Sequence, residues 1–244
     1  MSVDVHGPKI MFEIPIFGGI PVSETIVNAW IVMAVITLIC FILGRNLTVK
    51  NPSKRQLVAE KAVTMITDLV TDVMGKRNAH WAPYIGTLLL LSAFSALSSL
   101  TGLRPPTADL NTTLGWALVT FFMIQATKIR HHGVGGWLKG FADPVVVMTP
   151  MNIISEIATP ISMAFRHFGN IASGVVITAL VYSALAGLSQ LILGWIPNDF
   201  IASIPIFQVG LPALLSIYFD LFTSVLQAYI FSMLTMVFVS GAQE

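Results

Sequence analysis

Long, nearly uncharged apolar runs dominate this chain. They occupy residues 26–43, 84–103, 114–129, 171–196 and 200–240, and the last run contains a single charge, Asp220. A helix needs roughly 20 mostly apolar residues to cross the hydrocarbon core, and the short third run suffices if Lys128 reaches the interface. The pattern predicts an all-α integral membrane protein with about five membrane-crossing passages, in a single membrane domain over residues 1–244.

The last two passages are too long for upright spans. They comprise residues 144–196 and 200–240. The first is long because the mixed stretch 144–168, which contains Glu156 and Arg166, leads directly into the fourth apolar run. Fifty helical residues would reach roughly 75 Å, against a core of about 30 Å. Such helices must be interrupted or strongly tilted, and tilt requires a neighbouring surface. We therefore expect residues 145–240 to form a tilted helical pair.

Residues 54–74 follow a different pattern. Apolar positions recur there at helical spacing, while charged residues take the other faces; the apolar set is Val58, Ala62, Ile66, Leu69 and Val73. This predicts an amphipathic helix that lies at the cytoplasmic interface or packs on other subunits. Residues 1–23 lack a basic start followed by an apolar stretch, so they are expected to be an intact, partly ordered tail.

The basic residues separate the loops into two groups. Residues 45–77 hold seven Lys or Arg and residues 128–139 hold three, whereas Lys9 and Arg104 are isolated. The positive-inside rule places the rich loops in the cytoplasm. The N-terminal tail and the loop around Arg104 are then outside, and the C-terminus is cytoplasmic.

Composition excludes several functions. Only 10% of the residues are charged, against about 25% in soluble domains, and a net charge of +1 favours no nucleic-acid partner. Cys40 is the single cysteine, so no disulfide forms within the chain. The sequence has no Gly-rich loop ending in Gly-Lys-Ser/Thr, and the His131–His132 pair lacks a third metal ligand at usable spacing. We expect no nucleotide chemistry, no metal and no cofactor.

Arg166 is the last cationic residue of the chain, and it lies in its most apolar half. An arginine at membrane depth costs about 2.5–3.5 kcal/mol on insertion scales. It cannot become neutral, so it must face a carboxylate, a polar cavity or water, or else extend from a helix end to lipid headgroups. An ionisable residue at this depth is a functional hypothesis by default.

Small or hydroxylated residues surround this arginine on one predicted helix face. Spacings of four, three, four, three and four relate Ser155, Thr159, Ser162, Arg166, Gly169 and Ser173. Such a stripe lets another helix approach closely, and an arginine within it can meet a carboxylate on a partner helix. The alternative is ordinary packing within this subunit.

Three more titratable residues are candidates. Asp220 shares a helical face with Thr223, Ser224 and Gln227, where it could line a water path or form a static bridge to Arg166. His167 could relay protons or be a core histidine with its hydrogen bonds satisfied. Glu156 also lies near the arginine in sequence.

Several motifs resemble one known family, subunit a of F-type ATP synthases. The stretch 165–170 reads FRHFGN, similar to that family's Arg-x-x-Gly-Asn signature, and 150–170 is similar to its approach to the arginine. The stretches PTADLNTTLGWAL (106–118) and LQAYIFSMLTMVFVS (226–240) resemble its outer-loop and C-terminal motifs. The resemblance covers about residues 23–240.

The resemblance implies an ion-conducting stator beside a rotating ring of c subunits. Arg166 would face the carboxylate of the ring, between two half-channels for H⁺ or Na⁺. Asn170 and Gln227 would lie near the outer half-channel and Glu156 on the inner path, while residues 145–240 would wrap the ring. The implied partners are the c ring, peripheral-stalk b subunits, the F1 sector and the lipid of a bacterial plasma membrane.

One position departs from the family pattern. Many members carry a carboxylate a few residues after the Gly-Asn pair, where this chain has Val175. Asp220 stands where many have His or Glu, so we expect the outer acid to have moved there, with His167 assisting. The competing interpretation is a stand-alone secondary transporter in which Arg166 binds an anionic substrate, but the paired repeats typical of that class are not visible. A third interpretation is a structural anchor without conduction.

Overall fold

Helices make up nearly all of the described chain. The structure is a computed structural model that describes residues 9–15, 19–49, 52–143, 145–193 and 217–243. Its α-helices are α1 (Glu24–Gly44), α2 (Lys54–Met74), α3 (Ala82–Leu97), α4 (Leu110–Gly140), α5 (Thr149–Leu193) and α6 (Ser224–Gly241). Short 3-10 segments occupy Lys76–Trp81, Ser98–Thr101, Pro106–Ala108 and Val146–Met148, and a π-helical segment occupies Ile217–Thr223. The predicted all-α class is confirmed.

Four helical stretches of the described residues are long and apolar enough to cross a membrane. They are Glu24–Gly44, Lys76–Thr101, Val146–Leu191 and Leu221–Gly241. Helix α4 contains the third predicted run and has 31 residues, but it is not among these four stretches. Asn111, Gln125 and several threonines lower its mean hydropathy. It packs most extensively against α5.

Helix α5 is continuous over 45 residues, through an internal proline, Pro160. The length of the fourth passage predicted either an interrupted helix or a tilted one. Because α5 is unbroken over residues 149–193, it is not interrupted there. At about 1.5 Å per residue the helix is roughly 68 Å long, more than twice the hydrocarbon core of about 30 Å, which agrees with a strong tilt. The tilt itself stays a prediction. Residues 194–216 lie outside the described residues, and the predictions that fall on them remain predictions.

Two clusters of buried side chains hold the bundle together. The first joins α2, α3, α4 and α6 and includes Val70, Ile85, Ile124 and Met236. The second joins α3, α4, α5 and α6 through Leu88, Ala117, Met163, Ala164 and Phe231. These clusters orient α5 and α6 relative to each other, and those are the helices that carry the candidate site.

Polar contacts show which segments of the chain lie at each end of the bundle. At one end, the Thr25 hydroxyl donates to Asp109 Oδ2 over 2.9 Å, next to the N-terminal strands. At the other end, Asn78 Nδ2 donates to Gln243 Oε1 over 2.9 Å. The N-terminus and the loop before α4 therefore share one end, and the C-terminus shares the other with the loop after α2.

The N-terminal segment forms a small antiparallel hairpin that the sequence did not suggest. Strand β1 (Ile10–Ile14) pairs with β2 (Ile20–Ser23), with an irregular register between Ile10 and Phe12. The hairpin leads directly into α1, whose Glu24 N–H donates to the Lys9 carbonyl over 2.9 Å.

Helix α2 has the predicted bounds, and its apolar stripe is only partly covered by this subunit. The Ser53 hydroxyl caps its first turn by accepting from the Gln56 N–H, and Gly75 ends it at a φ of 81°. Ile66, Leu69 and Val73 pack on the first cluster. Val58, at the start of the predicted stripe, is 60% exposed, because only the C-terminal half of α2 reaches the bundle.

Candidate functional site: the outer face of α5

Helix α5 divides sharply into a buried face and an open face around Arg166. Its buried side chains follow helical spacing and face the bundle, as Pro160, Met163, Ala164, His167 and Ile171. Arg166 is exposed on the opposite side, with Phe165 and Asn170. Of the predicted small-residue stripe, Ser155, Ser162 and Ser173 are exposed, and Thr159 and Gly169 are partly buried. The stripe therefore lies on the side of α5 that faces away from the core of this subunit.

A shallow groove runs beside the arginine. It encloses about 210 Å³ and is lined by Ser155, Ser162 and Arg166 from α5 and by Leu234 and Phe238 from α6. Among the described side chains, none forms a hydrogen bond or ion pair with Arg166. Its guanidinium is thus open to a group that this described part of the chain does not supply. The side chain of Asp220 lies outside the description, so the static Asp220–Arg166 bridge remains untested.

Asn170 and Gln227 join the two helices one turn beyond the arginine. Asn170 Nδ2 donates to Gln227 Oε1 over 2.7 Å. Gln227 is only 2% exposed, whereas Asn170 is exposed. The structure thus brings together two predicted site residues that are 57 positions apart, and their bond fixes α5 to α6 beside Arg166.

Asp220 lies in the π-helical segment Ile217–Thr223, directly before α6. The predicted polar face assumed α-helical spacing from Asp220 to Gln227, but a π-helical turn holds more residues than an α-helical one. The assumption of regular α-helical spacing is therefore wrong across this segment, and the shared polar face of Asp220 stays a prediction. Within α6 the assumption holds, because Ser224 and Gln227 are both buried. Short π-helical segments frequently occur at functional sites.

A polar cavity opens at the end of the bundle that carries the C-terminus. It encloses about 410 Å³ between α4, α5 and the end of α6, and its lining includes Lys128, His132, Asn152, Ser155 and Glu156. Ser155 lines both this cavity and the groove beside Arg166. The two spaces therefore both border Ser155 on α5.

A hydrogen-bonded network holds Glu156 at this cavity. Its Oε1 accepts from Lys128 Nζ over 2.7 Å and also from Gln125 Nε2. The indole N–H of Trp137 donates to Gln125 Oε1 over 2.8 Å. Trp137 can fold back on Gln125 because α4 kinks at Gly133, whose φ of 69° and ψ of 169° suit glycine.

Sequence reasoning missed this network. It assigned Lys128 to the membrane interface, whereas the structure pairs that lysine with Glu156. The sequence did contain a sign of this ion pair. Lys128 is the one charge in its apolar run, and Glu156 is the first carboxylate of the passage that follows. Periodicity did not connect them, because they lie on different helices.

His167 lies in the core and not on the face of Arg166. Its side chain is fully buried, and its Nε2 lies 3.3 Å from Ser92 Oγ. The rings of Trp116 and Phe231 pack around it, with centroid distances of 5.8 and 5.3 Å. This places His167 in the core, but its Nδ1 has no hydrogen-bond partner among the described residues, so it is not the core histidine with satisfied hydrogen bonds. Its role as a proton relay stays a prediction.

Comparisons with known proteins agree with this architecture. The sequence model of the family described as ATP synthase A chain matches residues 26–240. The chain is 32% identical to ATP synthase subunit a, sodium ion specific, of Propionigenium modestum, over 98% of this chain and 86% of that protein. It is 33% identical to ATP synthase subunit a 2 of a Bradyrhizobium strain, over 92% and 91% of the two chains. ATP synthase subunit a 1 of Chlorobium luteolum is also 33% identical, over 92% of each chain. A match that extends from the start of α1 to the end of α6 includes every helix that builds the groove and the cavity, and the chain therefore belongs to the ATP synthase A chain family.

Proposed function

We propose that this chain is the ion-translocating stator subunit of a rotary ATP synthase and that Arg166 faces the carboxylates of a rotating c ring. One observation carries the proposal: Arg166 lies on an open, small-residue face of α5, and no described side chain pairs with it. An arginine in hydrocarbon is costly unless a negative group or water meets it. A passing carboxylate on a closely packed partner helix meets that need.

Translocation follows from alternate protonation of the ring carboxylate. A proton that enters from outside neutralises the carboxylate, which can then rotate through lipid, where the charged form would be very costly. When the carboxyl group reaches Arg166, the positive guanidinium favours its ionised form, and the proton is released. The same fixed charge keeps protons from passing directly between the two access paths.

The inner path is proposed to run through the polar cavity. This is supported by Ser155, which lines both the groove and that cavity, and by Glu156 and Lys128, which line the cavity. A proton released beside Arg166 would pass Glu156 and leave at the end that holds the C-terminus. The outer path would approach from the other side, through Asp220 and the Asn170–Gln227 pair.

Partners and orientation follow from the same proposal. The stripe on α5 would contact the c ring, while peripheral-stalk b subunits would bind elsewhere on the bundle and link it to the F1 sector. The positive-inside rule supports a C-terminal end in the cytoplasm of a bacterium and an N-terminal hairpin outside. Family membership disfavours a stand-alone transporter in which Arg166 binds an anionic substrate.

The transported ion is H⁺ or Na⁺. One relative is named as sodium ion specific, whereas the Bradyrhizobium and Chlorobium relatives carry no such term. ATP-driven pumping in vesicles, with and without Na⁺ and a protonophore, distinguishes the two. Pumping by a sodium-translocating complex requires Na⁺ and is not inhibited by the protonophore. Pumping by a proton-translocating complex does not require Na⁺, and the protonophore collapses the proton gradient that it forms.

The test of the arginine is Arg166→Ala in the whole complex. We expect ATP-driven pumping and ATP synthesis to be lost while ring, stalk and nucleotide-hydrolysing subunits still co-purify. Phe165→Ala is the matched control, because Phe165 is the exposed neighbour of Arg166 and carries no charge. Wild-type pumping in the Arg166→Ala complex would refute the role.

The outer path is tested separately with Asp220→Asn. This change removes the negative charge and nearly preserves the size of the side chain, so proton uptake from outside should slow. Passive proton conductance of membranes from which the F1 sector has been stripped gives the rate. Unchanged conductance would count against Asp220 without affecting the proposal for Arg166.

A further inference from the structure

An apolar groove opens between α1, α2 and α3, and we call it the three-helix groove. It encloses about 540 Å³, within the range of sites that bind small molecules. It shares no lining residue with the groove beside Arg166 or with the polar cavity. Among its described lining side chains, only Glu60 and Thr64 carry oxygen or nitrogen. A ligand that fills this groove must therefore be mainly hydrocarbon.

The groove exists because two helices diverge from the bundle. The buried residues of α1 all lie in its first half, up to Val32. Apart from Gln56, the buried residues of α2 all lie near its end, from Val70 onward. The second half of α1 and the first half of α2 therefore leave a gap, and Leu90 and Phe94 of α3 line it from the bundle side.

The depth of the groove matches one leaflet of a bilayer. Its entrance lies where α1 ends, at Gly44 and Leu47, and on α1 its lining continues inward at helical spacing to Ile36. Helix α3 starts at the end of the bundle that carries the C-terminus, and Phe94 lies 12 residues after its first residue. Twelve helical residues span roughly 18 Å, and half of the hydrocarbon core is about 15 Å. A chain that lies in the groove would thus follow the direction of a lipid acyl chain.

The entrance is held in place by one buried side chain, Gln56. The Thr48 N–H donates to Gln56 Oε1 over 2.9 Å, and Gln56 Nε2 donates to the Thr48 carbonyl over 3.0 Å. These bonds fix the loop that carries Leu47 to the first turn of α2. Gln56 Nε2 also donates to Glu60 Oε1 over 2.7 Å. The one carboxylate of the lining is therefore already engaged within the subunit.

Basic residues surround this entrance. Residues 45–61 contain five Lys or Arg and one Glu. Arg45 directly follows the lining residue Gly44, and Lys54 and Arg55 directly precede Gln56. All three basic side chains are exposed, and no residue in the described part of the chain forms an ion pair or hydrogen bond with them. Basic pockets of this kind at the end of membrane helices bind anionic lipid headgroups.

We propose that the three-helix groove binds an anionic phospholipid. One acyl chain lies in the groove, and Arg45, Lys54 and Arg55 bind the phosphate at its entrance. A partner helix fits the space poorly, since a helix is about 10–12 Å across and the 540 Å³ would hold only about one turn of it. The inference requires only that the chain lies in a membrane, and it does not rest on the translocation proposed above.

Photolabelling of the whole complex in phosphatidylcholine vesicles tests the site. The vesicles contain a trace of phosphatidylglycerol or of phosphatidylcholine that carries a diazirine on one acyl chain, and mass spectrometry locates the labelled residues. Cys40 and Leu43, which line the groove, are compared with Phe41 and Ile42, which are exposed on α1 outside it. The measured quantity is the ratio of labelling inside the groove to labelling outside it.

We expect this ratio to be at least about fivefold higher for phosphatidylglycerol, since one basic residue near an anionic headgroup already changes binding by about that factor. Unlabelled phosphatidylglycerol should compete. Equal ratios for the two probes would mean that the groove holds ordinary bulk lipid, which overturns the proposal. Absence of groove labelling by both probes would mean that another subunit covers it, and this result overturns the proposal as well.

Charge variants test the headgroup site. Changing Arg45, Lys54 and Arg55 together to Gln should reduce the phosphatidylglycerol ratio to that of phosphatidylcholine. The matched control changes three exposed basic residues at the same end of the bundle that do not adjoin the groove, which are Lys76, Arg77 and Lys139. This control should keep the preference. An equal loss in both triple variants would reveal only general attraction to a basic surface, and an unchanged ratio in the first would place the headgroup elsewhere; either result refutes the assignment.

A steric variant tests the acyl-chain site without changing any charge. Ala62 lines the groove, so Ala62→Trp should lower labelling by the phosphatidylglycerol probe to the level outside the groove. Ala34→Trp is the matched control, because Ala34 is exposed on α1 outside the groove. Undiminished labelling in Ala62→Trp would contradict the proposed position of the chain. If the charge variants fail to co-purify with the complex, this pair and the comparison of the two probes decide the question. Photolabelling requires no ion transport, so a failed lipid site and a failed Arg166→Ala test give different results.

Discussion

Removing the two partners of the Asn170–Gln227 hydrogen bond should have unequal consequences. Asn170→Leu leaves the oxygen of Gln227, a 2% exposed side chain, without its donor, and an orphaned buried polar group costs about 1–3 kcal/mol. Gln227→Leu removes the buried amide itself and loses only the bond, which is worth about 0.6 kcal/mol on average between membrane helices. The expected difference is therefore about 1 kcal/mol, with Asn170→Leu the more damaging change.

First-order heat inactivation of the purified complex measures this difference. At about 1.4 kcal/mol per factor of ten in rate, Asn170→Leu should inactivate roughly fivefold faster than Gln227→Leu. The double variant should resemble Gln227→Leu alone, because no orphaned amide remains, and Ser173→Ala, on the same face of α5, should resemble the parent. Equal rates in the two single variants, or a double variant worse than either, would show that the bond does not hold the helices as described.

Three further predictions concern the cavity and the contact between α2 and α3. Gly133→Ala should destabilise the complex by about 1–3 kcal/mol, since its φ of 69° and ψ of 169° suit glycine alone, and faster heat inactivation would reveal it. Glu156→Gln should slow ATP-driven pumping and also destabilise the complex, because Lys128 loses its ion-pair partner. Adding Lys128→Gln should restore the stability but not the pumping. If the double variant recovers both, the pair has a purely structural role. Gly86→Ala should destabilise by less than the overpacking cost of about 1–3 kcal/mol, because its Cβ would lie 3.1 Å from Ile66 Cδ1 but alanine gains about 1 kcal/mol of helix propensity. Ile66→Ala should make the combined loss clearly less than additive, and full additivity would contradict the close contact.

The helices were largely predictable because each depends on local sequence. Residues 26–43 became α1 over Glu24–Gly44, since hydropathy alone defines a membrane span. The bounds of α2 were predicted correctly, and Ser53 and Gly75 supply the cap and the stop that hydrophobic periodicity only implied. Helix α3 ends at Leu97, earlier than its apolar run, because the chain tightens into the 3-10 turn Ser98–Thr101 while the run is still uncharged.

The candidate site was predictable by face but not by partner. Spacing placed Arg166 and the small residues on one side of α5, and that side is indeed the open one. Spacing could not find the contact of Lys128 with Glu156, which depends on how α4 lies against α5. It also could not detect the π-helical segment at Asp220, because that change of helical register leaves no mark in the order of polar and apolar residues.

The arrangement of charges around α5 explains why Arg166 and Glu156 are kept apart. Glu156 lies ten residues before Arg166, and its charge is balanced by Lys128 from α4, so this carboxylate is held away from the arginine. A carboxylate of this subunit within reach of Arg166 would be attracted about as strongly as a carboxylate on the ring and would compete with it. Small hydroxyl side chains around the arginine offer no such competition and keep the approach of a partner helix short. The open face of α5 is therefore suited to a counter-charge that arrives and leaves, whereas a permanent bridge within the subunit would stop the rotation that the proposed function requires.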